Sequence, residues 1–281
     1  MKTRHKQQSD ENFPVASLFI SKSLRPLVAD YYAFARRCDD IADNPDLLPE
    51  EKLVQLREIS DIFYGVQKYR GSKLAFAARL KNDFLRENLD FSLAGDLLSA
   101  FRRDAEGYDY QTWGQLVGYC QYSAAPVGRF MLALHDENPI TYQPAASLCT
   151  ALQIVNHLQD IKYDCLKLGR VYLPADLMAE YGVSRADLIA GQTCPPLRKL
   201  IAHLSELIRG QLKEGAVLPG LIRSRRLRYQ VCIILSLTNI MLKKINKGDV
   251  LRREIRLGRW DWLRGIVGGL CRGFFIRGRI Y

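Results

Sequence analysis

Apolar side chains recur at intervals of three and four residues along almost the whole chain, a spacing that allows little except helices. Over 24–43 they fall on one helical face, with Ser23 placed to cap that helix and Pro26 in its first turn. No run of alternating apolar and polar residues bounded by turn residues suggests a sheet. The spacing predicts further helices from Pro49 onward and over 72–89, 92–106, 112–134, 143–168, 194–214 and 220–246. We therefore predict an all-α protein.

The chain is long enough for one sizeable core, since 48% of its 281 residues are hydrophobic. No Gly-, Ser- or Pro-rich linker divides it, so a single-domain helical bundle over 1–262, followed by a basic, apolar tail over 263–281, is the expected organisation. The seven cysteines are scattered and never spaced as CxxC, which favours neither a disulfide framework nor a zinc site. Without an apolar leader or a membrane span, we expect the protein in the cytoplasm.

Two pairs of aspartates, each four residues apart, are the most informative chemical feature. They are Asp39 with Asp43, and Asp160 with Asp164. A four-residue step leaves two side chains only about 40° apart on a helix, where like charges repel by roughly 0.2 to 0.5 kcal/mol. A hard divalent cation relieves that repulsion, because Mg²⁺ prefers oxygen ligands and is bound by one or two carboxylates together with substrate phosphate.

Each aspartate pair shares its helix face with other polar groups. The first helix adds Tyr32, Arg36 and Asp40, and the second adds Asn156. One such pair arises easily by chance, but a polar stripe within an apolar helix is costly to bury unless ligands or ions satisfy it. Two stripes facing each other across a bundle predict an acidic mouth for Mg²⁺ and a diphosphate.

Three motifs in order resemble the squalene and phytoene synthases, the head-to-head class of all-α prenyltransferases. They are YAFARRCDDIAD, YDYQTWGQLVGYC and NHLQDIKYDCLKLGRVYLP, and the resemblance extends from about Asn12 to Trp262. It implies an isoprenoid synthase fold with a central active-site cavity, a prenyl diphosphate substrate and Mg²⁺ as the cofactor.

The resemblance also implies roles for individual residues. It assigns metal binding to Asp39, Asp43, Asn156, Asp160 and Asp164, with Asp40 behind them. Active-site tyrosines are expected at Tyr32 and Tyr172. A π face stabilises a desolvated cation, which makes Phe34, Tyr119 and Tyr122 candidates as well. The expected substrate contacts are Arg36, Asn156, Gln159 and Arg170, together with Tyr119 and Tyr122.

Several details resemble one branch, the bacterial hydroxysqualene synthases. They are YCQYSAAPVGR over 119–129, Gln159 before the second aspartate pair, and the opening motif at 11–17. That branch converts presqualene diphosphate into hydroxysqualene and diphosphate, which implies coupling to a presqualene diphosphate synthase and a reductase. Gln121 departs from the branch, since a basic residue is expected there.

Other interpretations stay open. The chain could instead be a presqualene diphosphate or phytoene synthase, which condenses two allylic diphosphates. It could also be a non-catalytic, synthase-like assembly factor, although such a protein is expected to lose some of the four aspartates and this chain keeps them all.

The net charge of +11 is confined to the C-terminal part of the chain. Residues 1–220 carry 26 basic and 27 acidic side chains, whereas 221–281 carry 15 basic and 3 acidic ones. The basic residues alternate with Trp, Phe and Leu, a combination typical of interfacial membrane segments. We therefore expect peripheral contact with an anionic membrane at its inner face, and no nucleic acid, because no recognition motif accompanies the charge. The glycines of this region predict turns: Gly248, Gly258, Gly265, Gly268 and Gly269.

Overall fold

The structure, a computed structural model, describes residues 20–68 and 71–276. In these residues it contains thirteen α-helices and no strand, which confirms the predicted all-α fold. The motif at 11–17 and the last five residues of the predicted tail lie outside the described residues. The helices are α1 Arg25–Ala42, α2 Pro49–Tyr64, α3 Ala75–Arg86, α4 Ser92–Glu106, α5 Trp113–Ser123, α6 Ala125–Leu134, α7 Tyr142–Tyr163, α8 Ala175–Glu180, α9 Arg185–Leu188, α10 Pro195–Gly215, α11 Leu218–Leu221, α12 Arg225–Lys247 and α13 Arg259–Phe275.

Local chemistry sets several helix ends. The backbone N–H of Leu48 donates to the Glu51 carboxylate at 2.8 Å where α2 begins, and α2 ends at Gly65, whose φ is +77°. The hydroxyl of Thr112 accepts from the backbone N–H of Gln115 at the start of α5. Such contacts satisfy backbone groups that have no partner inside the helix.

The prediction of one helix over 112–134 is wrong, because the chain breaks at Ala124 into α5 and α6. Pro126 lies in the first turn of α6. It has no N–H to donate to the preceding turn, and its ring excludes a continuous helix there. The break turns α6 away from α5, so that both helices pack against α7.

Two apolar clusters form the core, and α4 contributes to both. One lies among α1 to α4 and includes Phe34 and Phe63; the other surrounds α7, α10 and α12 and includes Leu158 and Leu204. α1 therefore belongs to one cluster and α7 to the other. The C-terminal ends of these two helices carry the aspartate pairs.

Helix α13 shows that the turns predicted at three of the C-terminal glycines are wrong. Gly265, Gly268 and Gly269 lie inside the helix and form no turns, and the helix runs across position 262, where the sequence divides domain from tail. Gly265, Gly269 and Gly273 are buried against α12. A Cβ at Gly265, Gly269 or Gly273 would lie 2.5 Å or less from an atom of Leu237, Ile233 or Tyr229, respectively. Glycine at every fourth position therefore lets the two helices approach closely.

This close approach yields a testable pair of substitutions. Gly269→Ala places a Cβ 2.5 Å from the Ile233 Cα and 2.6 Å from its N, backbone atoms that cannot yield without separating the helices. We expect the free energy of unfolding to fall by about 1 to 3 kcal/mol. We also expect faster tryptic cleavage between α12 and α13, where arginines are exposed.

Gly268→Ala is the matched control. The nearest atom to its Cβ is the Ser236 Oγ at 3.8 Å, so the added methyl finds open space. Alanine in an exposed helix position is expected to stabilise the protein by up to about 1 kcal/mol. Equal unfolding free energies for the two variants would show that α13 does not depend on this contact.

Candidate active site

The C-terminal end of α1 carries an acidic cluster beside one arginine. The Arg36 guanidinium donates to Asp39 Oδ2 at 3.1 Å and to Asp40 Oδ1 at 2.6 Å, one turn along the same helix. Asp43 follows as the residue that ends the helix. Arg36 therefore neutralises part of the cluster from within α1 and stands beside the carboxylates, where the sequence predicts a diphosphate contact.

Arg170 links this cluster to the segment that follows α7. Its Nη1 donates to Asp43 Oδ1 at 2.6 Å and its Nη2 to the carbonyl oxygen of Ala42 at 2.8 Å. A cation at the last carbonyls of a helix is electrostatically favourable. The side chain is only 7% exposed, so it fixes the end of α1 at the site.

Asp104 of α4 is a buried carboxylate that holds two tyrosines. Tyr119 and Tyr172 each donate a hydroxyl to it at 2.8 Å, one to each carboxylate oxygen. Burial raises the pKa of Asp104, and it raises the pKa of both tyrosines well above their usual value, so their hydroxyls stay protonated and donate. Two predicted site residues are therefore oriented by a carboxylate that sequence reasoning missed.

The second aspartate pair lies at the end of α7. Asp164 is buried and opens a π-helical segment, Asp164–Leu168. His157 stacks on the Tyr172 ring at 3.8 Å, with its Nδ1 3.7 Å from Asp164 Oδ2. A small cavity is lined by His157, Asp164, Arg170 and Tyr172, together with apolar side chains. Asp160 lies one turn before Asp164 on α7.

Electrostatics join these pieces into one site. Burial, followed by the charges of Asp43, Asp104 and Asp40, raises the pKa of Asp39 to about 8, although Arg36 acts in the opposite direction. Asp104 thus lies close enough to act on α1 while it bonds to Tyr172. The structure therefore brings Asp39, Asp43, Asp104 and Arg170 together with Asp164 and Tyr172.

The residues present fit a divalent cation in two respects. The Asn156 Oδ1 on α7 is buried without a hydrogen-bond partner among the described residues, so an oxygen of the type that Mg²⁺ prefers is left unsatisfied. The three carboxylates at the end of α1, Asp39, Asp40 and Asp43, also outnumber the two arginines that contact them. Within the described part of the chain, no three His, Cys, Asp or Glu side chains are close enough to enclose an ion. An ion held here would therefore need further ligands from substrate and water.

Other predicted residues lie at the edges of this cluster or away from it. Tyr32 is half-buried on α1, one turn before Arg36. Tyr122 is 37% exposed, with the Arg103 guanidinium 5.0 Å from its ring centre. The buried Gln159 side chain donates to the carbonyl of Ile255 at 2.7 Å, so it contacts the segment after α12.

A basic residue is expected at position 121, and Gln121, which occupies that position, lies beside a basic group. The Arg129 guanidinium donates to its Oε1 at 3.3 Å, and its amide donates to the Thr150 hydroxyl at 3.5 Å. A positive charge is therefore present next to position 121, supplied from α6.

A family model described as squalene/phytoene synthase matches residues 6–261. The chain belongs to this family. Three curated hydroxysqualene synthases are 34% to 36% identical to the chain, and the one from Sinorhizobium fredii is 35% identical over 93% of this chain and 88% of its own length. The crystal structure of the squalene synthase HpnC from Alicyclobacillus acidocaldarius aligns with a TM-score of 0.72 and 32% identity, over 85% of this chain and 90% of that one.

The match confirms the predicted family, isoprenoid synthase fold and enzyme class. Members of this family process prenyl diphosphates. The phytoene synthase of Thermus thermophilus is less similar, at 28% identity over 89% of this chain and 84% of its own length. The resemblance to hydroxysqualene synthases is therefore stronger than the resemblance to phytoene synthases.

The sequence contains one signal that points to Asp104. It lies on α4 four and seven residues after Ala100 and Leu97, both buried, and thus on the apolar face of that helix. A carboxylate on a buried face needs partners. The partners come from 15 and 68 residues away along the chain, so they were visible only in three dimensions.

Proposed function

We propose that the chain is a hydroxysqualene synthase, which converts presqualene diphosphate and water into hydroxysqualene and diphosphate. The observation that carries this proposal is the joined cluster at the ends of α1 and α7, in a chain similar to hydroxysqualene synthases over nearly its whole length. Asp39, Asp43, Asp160 and Asp164 supply the acidic groups. Arg36 and Arg170 supply the positive charge beside them.

Magnesium is the proposed cofactor, with Asp39, Asp43, Asn156, Asp160 and Asp164 as the residues that would hold it. When bound, Mg²⁺ would neutralise the charge that develops on the leaving diphosphate. The chain itself contributes the geometry. Arg170 fixes Asp43 through a 2.6 Å bond, and Arg36 keeps Asp39 and Asp40 on one side of α1.

The reaction replaces the C–O bond to diphosphate by a C–O bond to water, and the cyclopropane ring of the substrate opens between these two events. The C–O bond of presqualene diphosphate breaks and its electron pair leaves with the diphosphate. The carbocation rearranges and then gains a water oxygen, and the water's proton is transferred to the released diphosphate. Tyr119, Tyr172 and His157 form an aromatic stack beside the carboxylates, and their faces can stabilise the cation while excluding bulk water. In this proposal Tyr32 and Tyr122 line the rest of the substrate site, and Gln159 completes it with its side chain held by the carbonyl of Ile255.

Condensation of two allylic diphosphates is the second candidate. It would make the chain a presqualene diphosphate or phytoene synthase, which use the same kind of acidic site. A non-catalytic assembly factor is less well supported, because Arg170 and Asp104 hold the site in an ordered arrangement.

Product analysis tests the proposal. The purified protein is incubated with Mg²⁺ and detergent, with either presqualene diphosphate or farnesyl diphosphate, and the lipid products are identified by mass spectrometry. We expect hydroxysqualene from presqualene diphosphate and no product from farnesyl diphosphate. Turnover of farnesyl diphosphate alone would instead support the condensing enzymes, and no turnover of either would favour the assembly factor.

The proposal includes peripheral contact with an anionic membrane at its inner face, where so apolar a substrate is dissolved. It also includes coupling to a presqualene diphosphate synthase and a reductase. None of the helices in the described residues is both long enough and apolar enough to span a bilayer. The charge of residues 221–281 supports the membrane contact.

A further inference from the structure

A groove of about 750 Å³ lies along the C-terminal half of α12, the loop after it and the start of α13. Its volume is within the range of small-molecule sites. None of the predicted active-site residues lines it. Its charged lining consists of Lys243, Lys244, Lys247, Arg253, Arg256 and Arg264, with Glu254 and Asp261.

Two of the six cations are neutralised inside the groove. Lys244 pairs with Asp261, and Arg256 pairs with Glu254 at 2.7 Å. The structure gives Lys243, Lys247, Arg253 and Arg264 no ion pair with any described residue. Because six positive and only two negative charges line one concave surface, a phosphate group is the ligand chemistry that the groove fits best.

The outward side of α13 is apolar next to this groove. Its glycines occupy the side that faces α12, so the large side chains lie toward solvent. Trp260 and Phe274 are each 74% exposed, and Phe275 is 80% exposed. The other exposed apolar side chains of the helix are Leu263, Ile266, Val267 and Leu270. A contiguous apolar patch of this kind marks an interaction surface.

We propose that the α12–α13 groove binds the phosphate headgroup of an anionic phospholipid while the outward side of α13 enters the same leaflet. This inference deepens the membrane contact of the proposed function and rests on it. Basic groups beside Trp, Phe and Leu on one helix are what an interfacial membrane surface requires. The glycine contacts with α12 hold the groove and the apolar side in a fixed relation, so both can meet one bilayer surface.

Vesicle binding tests the groove. The full-length protein is titrated with vesicles of phosphatidylcholine containing phosphatidylglycerol, and with phosphatidylcholine alone. The triple variant Lys243→Gln, Lys247→Gln, Arg264→Gln should bind the anionic vesicles about 100-fold more weakly, since each basic group near the surface contributes roughly a factor of five. The charge-matched control, Arg57→Gln, Lys199→Gln, Lys213→Gln, removes three exposed cations on α2 and α10. It should change binding by less than about 5-fold.

Two further arms identify the ligand and the surface. Inorganic phosphate is added at one tenth of the concentration of a control salt that only screens charge. At that concentration it should leave vesicle binding unchanged. Displacement by such phosphate would overturn the lipid assignment in favour of a free anion. The variant Val267→Gln, Leu270→Gln, Phe274→Gln should lose binding to both kinds of vesicle. Unchanged binding there, or tighter binding to RNA than to anionic vesicles, would overturn the docking surface.

Activity in detergent separates this proposal from the proposed function. The groove variant should keep wild-type turnover of presqualene diphosphate in detergent, because it removes no residue of the site at α1 and α7. If the unmodified protein turns over presqualene diphosphate but does not bind vesicles, the groove proposal alone is overturned. If the protein binds vesicles but shows no turnover, the groove proposal stands and the enzyme assignment is contradicted.

Discussion

Replacing Asp39 by Asn is expected to lower turnover of presqualene diphosphate by about 10³-fold while the protein stays folded. The substitution removes a charged oxygen at the end of α1 but keeps the size of the side chain. Arg36 retains its 2.6 Å bond to Asp40, so the helix keeps an internal ion pair. The measurement is kcat of the purified variant at saturating Mg²⁺, with circular dichroism to verify the helical fold.

Stability distinguishes a ligand role of Asp39 from a structural one. Without divalent cations and at a pH above the raised Asp39 pKa of about 8, where the carboxylate is ionised, losing its charge beside Asp43 and Asp104 should raise the free energy of unfolding by about 0.5 kcal/mol, the scale of like-charge repulsion between neighbours. The increase in Tm that Mg²⁺ produces in the unmodified protein should be smaller in the variant. Asp46→Asn, at an exposed position three residues after Asp43, is the control and should change neither property. Lower stability together with lost activity would indicate that Asp39 supports the fold instead.

The helices that carry the site could be predicted because apolar side chains recur at helical spacing along both, although α7 is buried nearly all round. α1 was expected over 24–43 and spans Arg25–Ala42, and α7 was expected over 143–168 and spans Tyr142–Tyr163, with a π-helical segment completing it. Both aspartate pairs thus lie at helix ends that local sequence fixes. Their approach to one another was inferred from the polar stripes and the family resemblance.

Features that depend on helix pairing could not be predicted in the same way. A glycine gives the same local signal in a turn as in a close helix contact, so the sequence predicts turns at Gly265 and Gly269, which instead pack α13 against α12. Asp104 needed partners far away along the chain. The contact of Arg170 with Asp43 spans 127 positions, and no spacing rule reaches that far.

Replacing Arg170 by Met is expected to lower the free energy of unfolding by about 3 kcal/mol and to reduce turnover together with it. The apolar side chain fills similar space but leaves the Asp43 carboxylate without its buried cation and the Ala42 carbonyl without its donor. Urea unfolding measures the first effect and kcat the second. Arg170→Lys keeps the charge without the two-pronged geometry and should recover only part of the loss.

A double-mutant cycle with Asp43→Asn decides whether Arg170 acts through Asp43. Because the two side chains share a 2.6 Å bond, the losses of free energy should not add, and a coupling of about 1 to 3 kcal/mol is expected. Additive losses would contradict that link and leave Arg170 as a contact to the Ala42 carbonyl alone. Strong coupling in stability with separate effects on kcat and KM would instead show that Arg170 both anchors the end of α1 and contacts the diphosphate. The two roles are compatible, since one guanidinium offers five donors and only two are used at α1.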